Sequence, residues 1–542
     1  MRFPAVLLPS LLVLAPAPAG QAQNFGNIKP NTVIGNPDPF NSMPAVPRAV
    51  DFFSPMDFGA KGDGVANDTA AVQAAMNAAA NGILRLGPHL YAVDPLTCTK
   101  TVNIVGTQSG EVMWRQNNTP NIGYSGFVAR AINETLLTLP PACIGSKLQD
   151  FFIGMGNAGH PNTSGWAISA SPTSTGANPV VSNMTFEGLQ IDYGCGGIDV
   201  GGWYWMIDRV TMTNMAGGTG CYGIRAGHND INGSTIDPII SNTKIISSFT
   251  DARLDNGIRI EDAGGLTITY TDINYTNIGT VIKPGPGQQV TGTFFHDTVL
   301  GDTSINSGLT IDAGGPTAVV QEFQCNGCWA SSTQSGNGIN IVNTGGAAAF
   351  AGFHFLGTRV YNNNQIGVLL NAGTDIDFEG AHICGNNGAA GSHAGINVAG
   401  GVNHVRIRGG AIGGTCDSLS TTQGSGIIFP GGTNTNVLIQ GVDLTQGNTA
   451  AINFTAGLSG RVEGNPGYNP AASGLVTVLA SPFSYKAGVT SEYVCVQGGT
   501  VSSVTVGGTT MAAATNSCVQ LAPGQTEIVT YSAMPTMSTS RQ

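Results

Sequence analysis

The residues whose types and spacing could carry out chemistry recur at one position of a repeated tetrad. The tetrad reads Gly, a bulky apolar residue, any residue, then an apolar or small one, as in Gly197-Ile198-Asp199-Val200. Stacking the copies would turn the variable third residues into a column on the outer surface. Four successive members of this column are charged, namely Asp199, Arg225, Arg259 and Lys283. We therefore expect polar chemistry at copies two to five of the repeat.

Hydrolysis and elimination would use different residues near this column. Glycoside hydrolysis needs two carboxylates, one as acid and one as base or nucleophile. The candidate acids are Asp199, Asp230, Glu261 and Asp262. Elimination needs a base that removes the proton next to a uronate carboxylate, together with cations that neutralise that carboxylate. The candidates for this lyase chemistry are Tyr204, Arg225, His228, Arg259 and Lys283.

Sugar binding is expected at the same place. Trp203, Tyr204 and Trp205 directly follow the Asp199 tetrad, and flat aromatic side chains present faces on which sugar rings can stack. Three of the four charged column members are cationic, although the whole chain carries a formal net charge of −11. A local cationic stripe on an acidic protein favours a uronate-bearing or otherwise anionic glycan.

Among the acids we favour Glu261 as the catalytic group. It should share the outward face with Arg259, two residues away, whereas Asp262 should point the other way. The alternative is a solvated charge ladder without catalytic function. In that case an Asp199–Arg225 ion pair would contribute under about 1 kcal/mol to stability, and the neighbouring tryptophans would serve only in packing.

The tetrads recur with a step that is mostly about 25 to 32 residues, which is typical of a solenoid. A second pattern, apolar-x-apolar-x-Gly, lies within each repeat, as in Ile376-Asp377-Phe378-Glu379-Gly380. Alternation at period two predicts strands with one buried face. We therefore predict an all-β chain that folds as a parallel β-helix of about ten coils. No helical pattern lies between the strands, which excludes a leucine-rich repeat.

One segment before the repeats is specific enough to suggest a family. It runs from Asp57-Phe58-Gly59-Ala60-Lys61-Gly62 to a predicted helix near 69–81, which Asp68 or Thr69 could cap and Gly82 could end. The segment resembles the opening of the pectate-lyase superfamily (pectin-lyase-like) domain of rhamnogalacturonase- and epimerase-like proteins and phage tailspikes. The resemblance implies a right-handed parallel β-helix whose first coil is capped by this helix. It covers roughly residues 51–460 and supports function only by association.

The known catalytic signatures of related activities are missing from the chain. Polygalacturonase-type hydrolases carry Asn-Thr-Asp, Asp-Asp and Gly-His-Gly motifs, of which only Gly227-His228-Asn229 is a faint echo. The Arg-x-Pro-x-x-Arg signature of calcium-dependent pectate lyases is missing too. The resemblance therefore implies neither activity by itself.

Composition divides the chain into four parts. Residues 1–22 resemble a secretion signal, with Arg2, an apolar stretch and a small-residue cleavage site. Residues 23–50 are rich in Pro and Asn and are predicted to be a linker or flexible arm. The β-helix occupies 51–464, and 465–542 form a small C-terminal β domain. We expect a separable β-sandwich of about five strands there, resembling modules of phage-tail-type β-helix proteins.

The ten cysteines fit export to an oxidising compartment. Cys195 and Cys221 each lie two residues before a tetrad glycine, so stacked coils would place them side by side. Three further disulfides are expected between neighbouring or matching positions: Cys384–Cys416, Cys325–Cys328 and Cys495–Cys518. We expect no metal site, because no further ligands stand at zinc-like spacing. No cofactor is expected either, except that Ca²⁺ has to be considered if the enzyme is a lyase.

These observations predict a secreted, extracellular, carbohydrate-active protein. Its partner would be an acidic polysaccharide or oligosaccharide, cleaved by glycoside hydrolysis or β-elimination. The alternative is a non-catalytic glycan-binding structural protein of the tailspike or adhesin type. Acidic net charge without Lys/Arg runs argues against nucleic acid, and no later stretch is apolar enough to span a membrane. The sequence leaves monomer and homotrimer open.

Overall fold

The chain winds three parallel sheets into a right-handed β-helix that ends in a β-sandwich. The structure is a computed structural model. The structure describes residues 32–35, 46–49, 52–107, 124–156, 162–171, 182–215, 217–228, 235–248, 252–386, 393–415, 423–454, 458–469, 474–511 and 515–542.

Sheet I contains the tetrads and has thirteen strands. In chain order these are Leu96–Thr97, Leu137–Thr138, Trp166–Ala170, Gly196–Val200, Gly218–Ala226, Leu254–Ile260, Ile278–Ile282, Ser307–Ile311, Asn337–Ile341, Val368–Leu370, Ala394–Val398, Gln423–Phe429 and Asn448–Phe454. The β-helix therefore has more coils than the ten expected, because its first coils lack the tetrad.

Sheet II has sixteen strands and sheet III has thirteen. The strands of sheet II are Phe52–Phe53, Ile83–Arg85, Asn103–Val105, Lys147–Gln149, Thr185–Glu187, Met206–Asp208, Ile239–Ser241, Ala263–Gly264, Thr267–Thr269, Gln289–His296, Val319–Asn326, Ala349–Leu356, Thr374–Glu379, Asn403–Arg408, Asn434–Gln440 and Leu458–Glu463. Those of sheet III are Asp63–Asn67, Leu90–Val93, Gly126–Ala129, Phe152–Gly154, Gln190–Asp192, Thr211–Met215, Lys244–Ser247, Asp272–Asn274, Val299–Asp302, Trp329–Ser331, Arg359–Tyr361, His382–Cys384 and Ala411–Gly413.

The tetrad glycines are required by the close approach of successive coils. A Cβ added at Gly223 would lie 2.6 Å from the carbonyl oxygen of Gly257 and 2.8 Å from Cγ2 of Ile245. Gly257 has the same relation to Gly279 and Ile273. Each glycine therefore leaves room for an apolar side chain of sheet III and for the backbone of the next coil.

The same glycines interrupt the in–out alternation of the strands. Gly223 and Ile224 are both buried, whereas the residues on either side, Tyr222 and Arg225, are partly exposed. Ser307 and Thr310 hold the same two positions on a later coil, where Ser307 is buried and the two hydroxyl oxygens lie 2.7 Å apart. Sheet I consequently presents two outward columns, one before the glycine and one at the third tetrad position.

The N-terminal cap is an α-helix at Thr69–Ala78, which confirms the helix predicted near 69–81. Val72, Ala75 and Met76 are buried against the first coils. Asp68 precedes the helix, but its carboxylate accepts the backbone N–H groups of Lys61 and Gly62, at 2.7 and 3.0 Å, instead of capping the helix. Two short 3₁₀ helices lie at Pro55–Phe58 and Pro141–Cys143.

The C-terminal part is a sandwich of two antiparallel four-stranded sheets. One contains Gly474–Val476, Glu492–Gln497, Ser517–Leu521 and Thr536–Arg541, and the other contains Phe483–Lys486, Thr500–Val506, Thr509–Met511 and Thr526–Ala533. The sandwich covers the last coil: Val462 N donates to Val489 O at 2.7 Å, and Asn469 Nδ2 donates to Gln542 O at 2.6 Å. These contacts oppose the expected separability of the domain.

Disulfides join neighbouring coils and strands. The predicted pairs Cys195–Cys221, Cys325–Cys328 and Cys495–Cys518 are confirmed. The structure adds Cys98–Cys143, which was not predicted. Cys384 is also disulfide-bonded, and its predicted partner Cys416 lies outside the described residues.

The segment before Phe52 forms a unit of its own. Two short antiparallel strands, Thr32–Gly35 and Val46–Ala49, lie within the predicted linker at 23–50. The predicted signal at 1–22 lies outside the described residues. Within the described part of the chain, no helix is long and apolar enough to cross a membrane.

Candidate functional site

Strand pairing in sheet I brings three of the four predicted charged residues into one column. Asp199 pairs with Arg225 and Arg225 pairs with Arg259, one coil apart each time. The next position belongs to Val281, not to Lys283. The error arose because the tetrad on this coil is Gly279-Thr280-Val281-Ile282, two residues earlier than the predicted alignment.

Asp199 is the centre of the cluster. It is 2% exposed, and its Oδ1 accepts a 2.9 Å hydrogen bond from Arg225 Nε and lies 2.8 Å from His228 Nε2. Ser169 Oγ donates to Oδ2 at 3.2 Å. Burial opposes ionisation, but the bonds from His228 and Arg225 outweigh it and hold the pKa of Asp199 below its usual value. The buried carboxylate is therefore charged and well satisfied.

His228 is oriented by this carboxylate. Its side chain is 10% exposed, and Nε2 also lies 2.7 Å from Ser171 Oγ and 3.0 Å from an Arg225 terminal nitrogen. An ionised carboxylate can only accept hydrogen bonds, so Nε2 carries a proton when it bonds Asp199. In the neutral ring the basic lone pair is then at Nδ1.

Two aromatic residues complete the outer face and were missed from the sequence. Trp166 and Tyr222 occupy the column before the tetrad glycine, with ring centroids 6.3 Å apart. Gly196 makes this approach feasible, since a Cβ there would lie 2.4 Å from the Trp166 ring. Arg225 Cζ lies 5.1 Å from the Trp166 ring centroid, and Arg259 Cζ lies 5.7 Å from that of Tyr222.

Tyr222 is thus placed close to both arginines. Burial raises the pKa of its phenol above the usual value, while Arg259 acts in the opposite direction. The phenol therefore stays protonated at neutral pH and is a potential proton donor. A signal existed in the sequence, since Tyr222 immediately precedes a tetrad glycine, but strict alternation would have pointed it inward.

Glu261 and Lys283 each make an ion pair beside the column. Arg259 Nε donates to Glu261 Oε1 at 3.0 Å, which agrees with the expected shared face. Glu261 is 6% exposed. Lys283 Nζ lies 2.9 Å from Asp312 Oδ2 on the following coil. Lys283 is therefore two residues beyond the column and engaged with an acid of its own.

Of the two remaining predicted acids, Asp262 is buried away from the outer face. Asp262 is 2% exposed, and its Oδ1 has no hydrogen-bond partner. Burial raises the pKa of Asp262 to about 6. Its backbone lies under Gly227, where an added Cβ would come within 2.3 Å of the Asp262 carbonyl oxygen. Asp230 lies outside the described residues.

The three predicted aromatic residues separate into two groups. Trp203 and Tyr204 are 37% and 55% exposed on the turn between sheets I and II. Trp205 is 1% exposed and belongs to the core, so its prediction as a sugar-stacking residue was wrong. The turn reverses alternation here, with Tyr204 in the left-handed region at φ 55°.

No group of three or more His, Cys, Asp or Glu side chains suitable for a metal ion occurs among the described residues. The candidate site is a cluster of acidic, basic, hydroxyl and aromatic side chains on the outer face of sheet I. We call it the sheet I cluster and define it by Trp166, Ser169, Ser171, Asp199, Tyr222, Arg225, His228, Arg259 and Glu261.

Solved structures with this architecture are known. A mutant tailspike protein of E. coli bacteriophage HK620 matches over 94% of this chain and 97% of its own, with 10% identity and a TM-score of 0.53. At this identity the likeness concerns the fold alone, a parallel β-helix. The A-module of Azotobacter vinelandii mannuronan C-5 epimerase AlgE4 covers 76% of this chain and 100% of its own, with 17% identity and a TM-score of 0.48. No protein-family model and no curated protein matches the chain.

Proposed function

We propose that this pectate-lyase-like β-helix binds an acidic polysaccharide across sheet I and cleaves it by β-elimination. The observation that carries the proposal is the in-register pair Arg225 and Arg259, which flanks the phenol of Tyr222 beside the Asp199–His228 pair. Two adjacent guanidinium groups can neutralise a uronate carboxylate by charge-assisted hydrogen bonds. Neutralisation acidifies the proton on the neighbouring carbon.

In the proposed reaction His228 Nδ1 takes that proton, with Asp199 holding the imidazole and stabilising its charged form. The electron pair released from the C–H bond forms a carbon–carbon double bond. As this double bond forms, the glycosidic C–O bond at the next carbon breaks, and Tyr222 donates its proton to the leaving oxygen. His228 and Tyr222 return to their starting protonation states by exchange with water.

Hydrolysis is supported less well by the same geometry. It requires a carboxylic acid that is protonated near neutral pH opposite a second carboxylate. Asp199 has a lowered pKa and is engaged by Arg225 and His228, and Glu261 is bonded to Arg259. Asp262 has the raised pKa but is buried away from the outer face.

We also propose that the protein acts outside the reducing cytoplasm. Four disulfides are present in the described part of the chain, and disulfides persist in oxidising compartments. A polysaccharide substrate is consistent with such a location. Mass spectrometry of the mature protein's N-terminus in culture supernatant and in cell fractions would test both export and the cleavage site near residue 22.

The test of activity is incubation with pectate, alginate, a glucuronan and a neutral glucan. Elimination should produce an ultraviolet-absorbing unsaturated uronate together with new reducing ends, and His228→Gln should abolish both signals. New reducing ends without absorbance would show hydrolysis instead. Deuterium uptake from D₂O without chain cleavage would show proton abstraction followed by reprotonation. Binding without any of these signals would favour the non-catalytic glycan-binding alternative.

A further inference from the structure

A second cavity lies where the C-terminal sandwich meets the last coil. Its volume is about 610 Å³, within the range of small-molecule sites. Phe454 lines it from the last coil, Tyr468 from the turn that follows that coil, and Tyr485, Lys486, Glu492 and Arg541 from the sandwich. Seven strand spacings of sheet I separate the Arg259 strand from the last one, so the cavity is roughly 34 Å from the sheet I cluster.

The charges of the sandwich are concentrated at this cavity. Residues 465–542 contain only two basic residues, Lys486 and Arg541, and only two acidic ones, Glu492 and Glu527. Three of these four line the one cavity. Neither Lys486 nor Arg541 makes an ion pair with an acid among the described residues, so both cations remain available to a ligand.

The polar groups at the cavity wall are held in place. Glu492 is 6% exposed, and its two oxygens accept hydrogen bonds from Tyr485 Oη at 2.6 Å and from Gly488 N at 3.1 Å. Each carboxylate oxygen can accept a further bond. Arg541 Cζ lies 4.6 Å from the ring centroid of Tyr468, and such a cation–π contact leaves N–H groups of the guanidinium for a partner.

We infer that this cavity is a second binding site, for a uronate-type sugar of an acidic polysaccharide. Lys486 and Arg541 would pair with the sugar carboxylate, Glu492 would accept hydrogen bonds from hydroxyl groups, and the aromatic walls would contact the apolar ring face. A role only in docking the sandwich explains the Arg541–Tyr468 contact but does not explain Lys486, which is exposed. Binding at this site does not depend on catalysis at sheet I, because the cavity is proposed to bind the sugar and not to cleave it.

The test is isothermal titration calorimetry of the full chain with a tetramer of glucuronate and with the matched glucose tetramer. Lys486→Ala and Arg541→Ala should each weaken glucuronate binding at one of two sites by about tenfold or more, as expected for a lost charge-assisted bond. Lys244→Ala serves as the control, since Lys244 is a half-exposed cation of sheet III, 3.9 Å from Asp272. This control should leave both sites unchanged.

Two measurements, melting temperature and binding, distinguish loss of this binding site from loss of stability and from failure of the proposed elimination. Lys486→Ala removes no side-chain hydrogen bond or ion pair between the described residues of the sandwich and the last coil, so an unchanged melting temperature with weakened binding supports the site. Loss of binding only in Arg541→Ala together with a lowered melting temperature would show a docking role and overturn it. A single uronate site that is abolished by Arg225→Ala and unaffected by Lys486→Ala would also overturn it. Failure of the elimination assay would leave the second site standing.

Discussion

Asp199 and Arg225 occupy matching positions on adjacent coils and are joined by a 2.9 Å hydrogen bond from Arg225 Nε to Asp199 Oδ1. Their side chains are 3% and 22% exposed. A second in-register pair, Glu379 and Arg408 on sheet II, is joined at 3.0 Å, with exposures of 56% and 41%. Both pairs join an acid to an arginine at the matching position of the next coil, and they differ in burial, so comparing them measures what the buried contact contributes.

Asp199→Asn should destabilise the β-helix much more than Glu379→Gln. Removing the buried charge leaves Arg225 without its carboxylate, and such losses cost on the order of 3 kcal/mol. The exposed pair should contribute under about 1 kcal/mol. The free energy of unfolding in urea, measured for both variants in one buffer, checks this. Equal losses would show that Asp199 is as well solvated as a surface group.

Asp262 should make stability depend on pH. Its pKa is about 6 because it is buried, whereas an unfolded aspartate titrates near about 3.9. The folded state therefore holds the proton more tightly than the unfolded state. The resulting contribution to the free energy of unfolding is full below about pH 4 and is lost as the pH rises through about 6. Asp262→Asn should be more stable than the natural protein at pH 8, by on the order of 1–2 kcal/mol, and nearly equal at pH 4. Urea unfolding at the two pH values measures this, and a difference independent of pH would contradict it.

The tetrad glycines should tolerate no side chain. Gly223→Ala would push a methyl group against Gly257 O and Ile245, and overpacking of this kind costs about 1–3 kcal/mol. Gly431→Ala is the control, because nothing lies within 4 Å of an added Cβ there and its φ is not left-handed. Thermal unfolding should shift for the first variant only. Similar melting temperatures for the two variants would mean that the coils can separate locally.

Sequence periodicity was sufficient for the solenoid, the cap and the general location of the charged column. It did not show which residues share the outer face. The tetrad glycine and the residue after it both point inward, which brings Tyr222 and Arg225 to the same side. The register at Lys283 failed for a related reason, since Thr280 stands where an aliphatic residue was expected. Trp205 was misplaced because the left-handed backbone at Tyr204 reverses the alternation.

Removal of the C-terminal sandwich should destabilise the β-helix. A chain ending at Gly464 would lose the Val462–Val489 hydrogen bond and expose the last coil, including Phe454. Uncovered strand edges and apolar ends favour association. Analytical ultracentrifugation and thermal unfolding of the truncated chain should show aggregation or a lower melting temperature. A monodisperse product with an unchanged melting temperature would instead support a separable domain.

Variants of the sheet I cluster should separate the residues that bind the substrate from those that take part in the reaction. They should also distinguish elimination from hydrolysis. Arg259→Ala should weaken an oligouronate by about 1.5–3 kcal/mol, since it removes a charge-assisted bond. Lys283→Ala is its control, because that cation is bonded to Asp312 outside the column. Its affinity should be unchanged.

Tyr222→Phe should lower kcat while leaving KM nearly the same, because the phenol is proposed to give its proton only to the leaving oxygen. Glu261→Gln should keep turnover under elimination, in which Glu261 only orients Arg259 at 3.0 Å, and should lose it if hydrolysis uses this acid. Steady-state kinetics on the polysaccharide that gives activity should compare Arg259→Ala, Lys283→Ala, Tyr222→Phe and Glu261→Gln. Full activity in Tyr222→Phe would show that the phenol takes no part in the reaction. Unchanged affinity in Arg225→Ala, Arg259→Ala and Trp203→Ala alike would show that the column is only a solvated charge ladder.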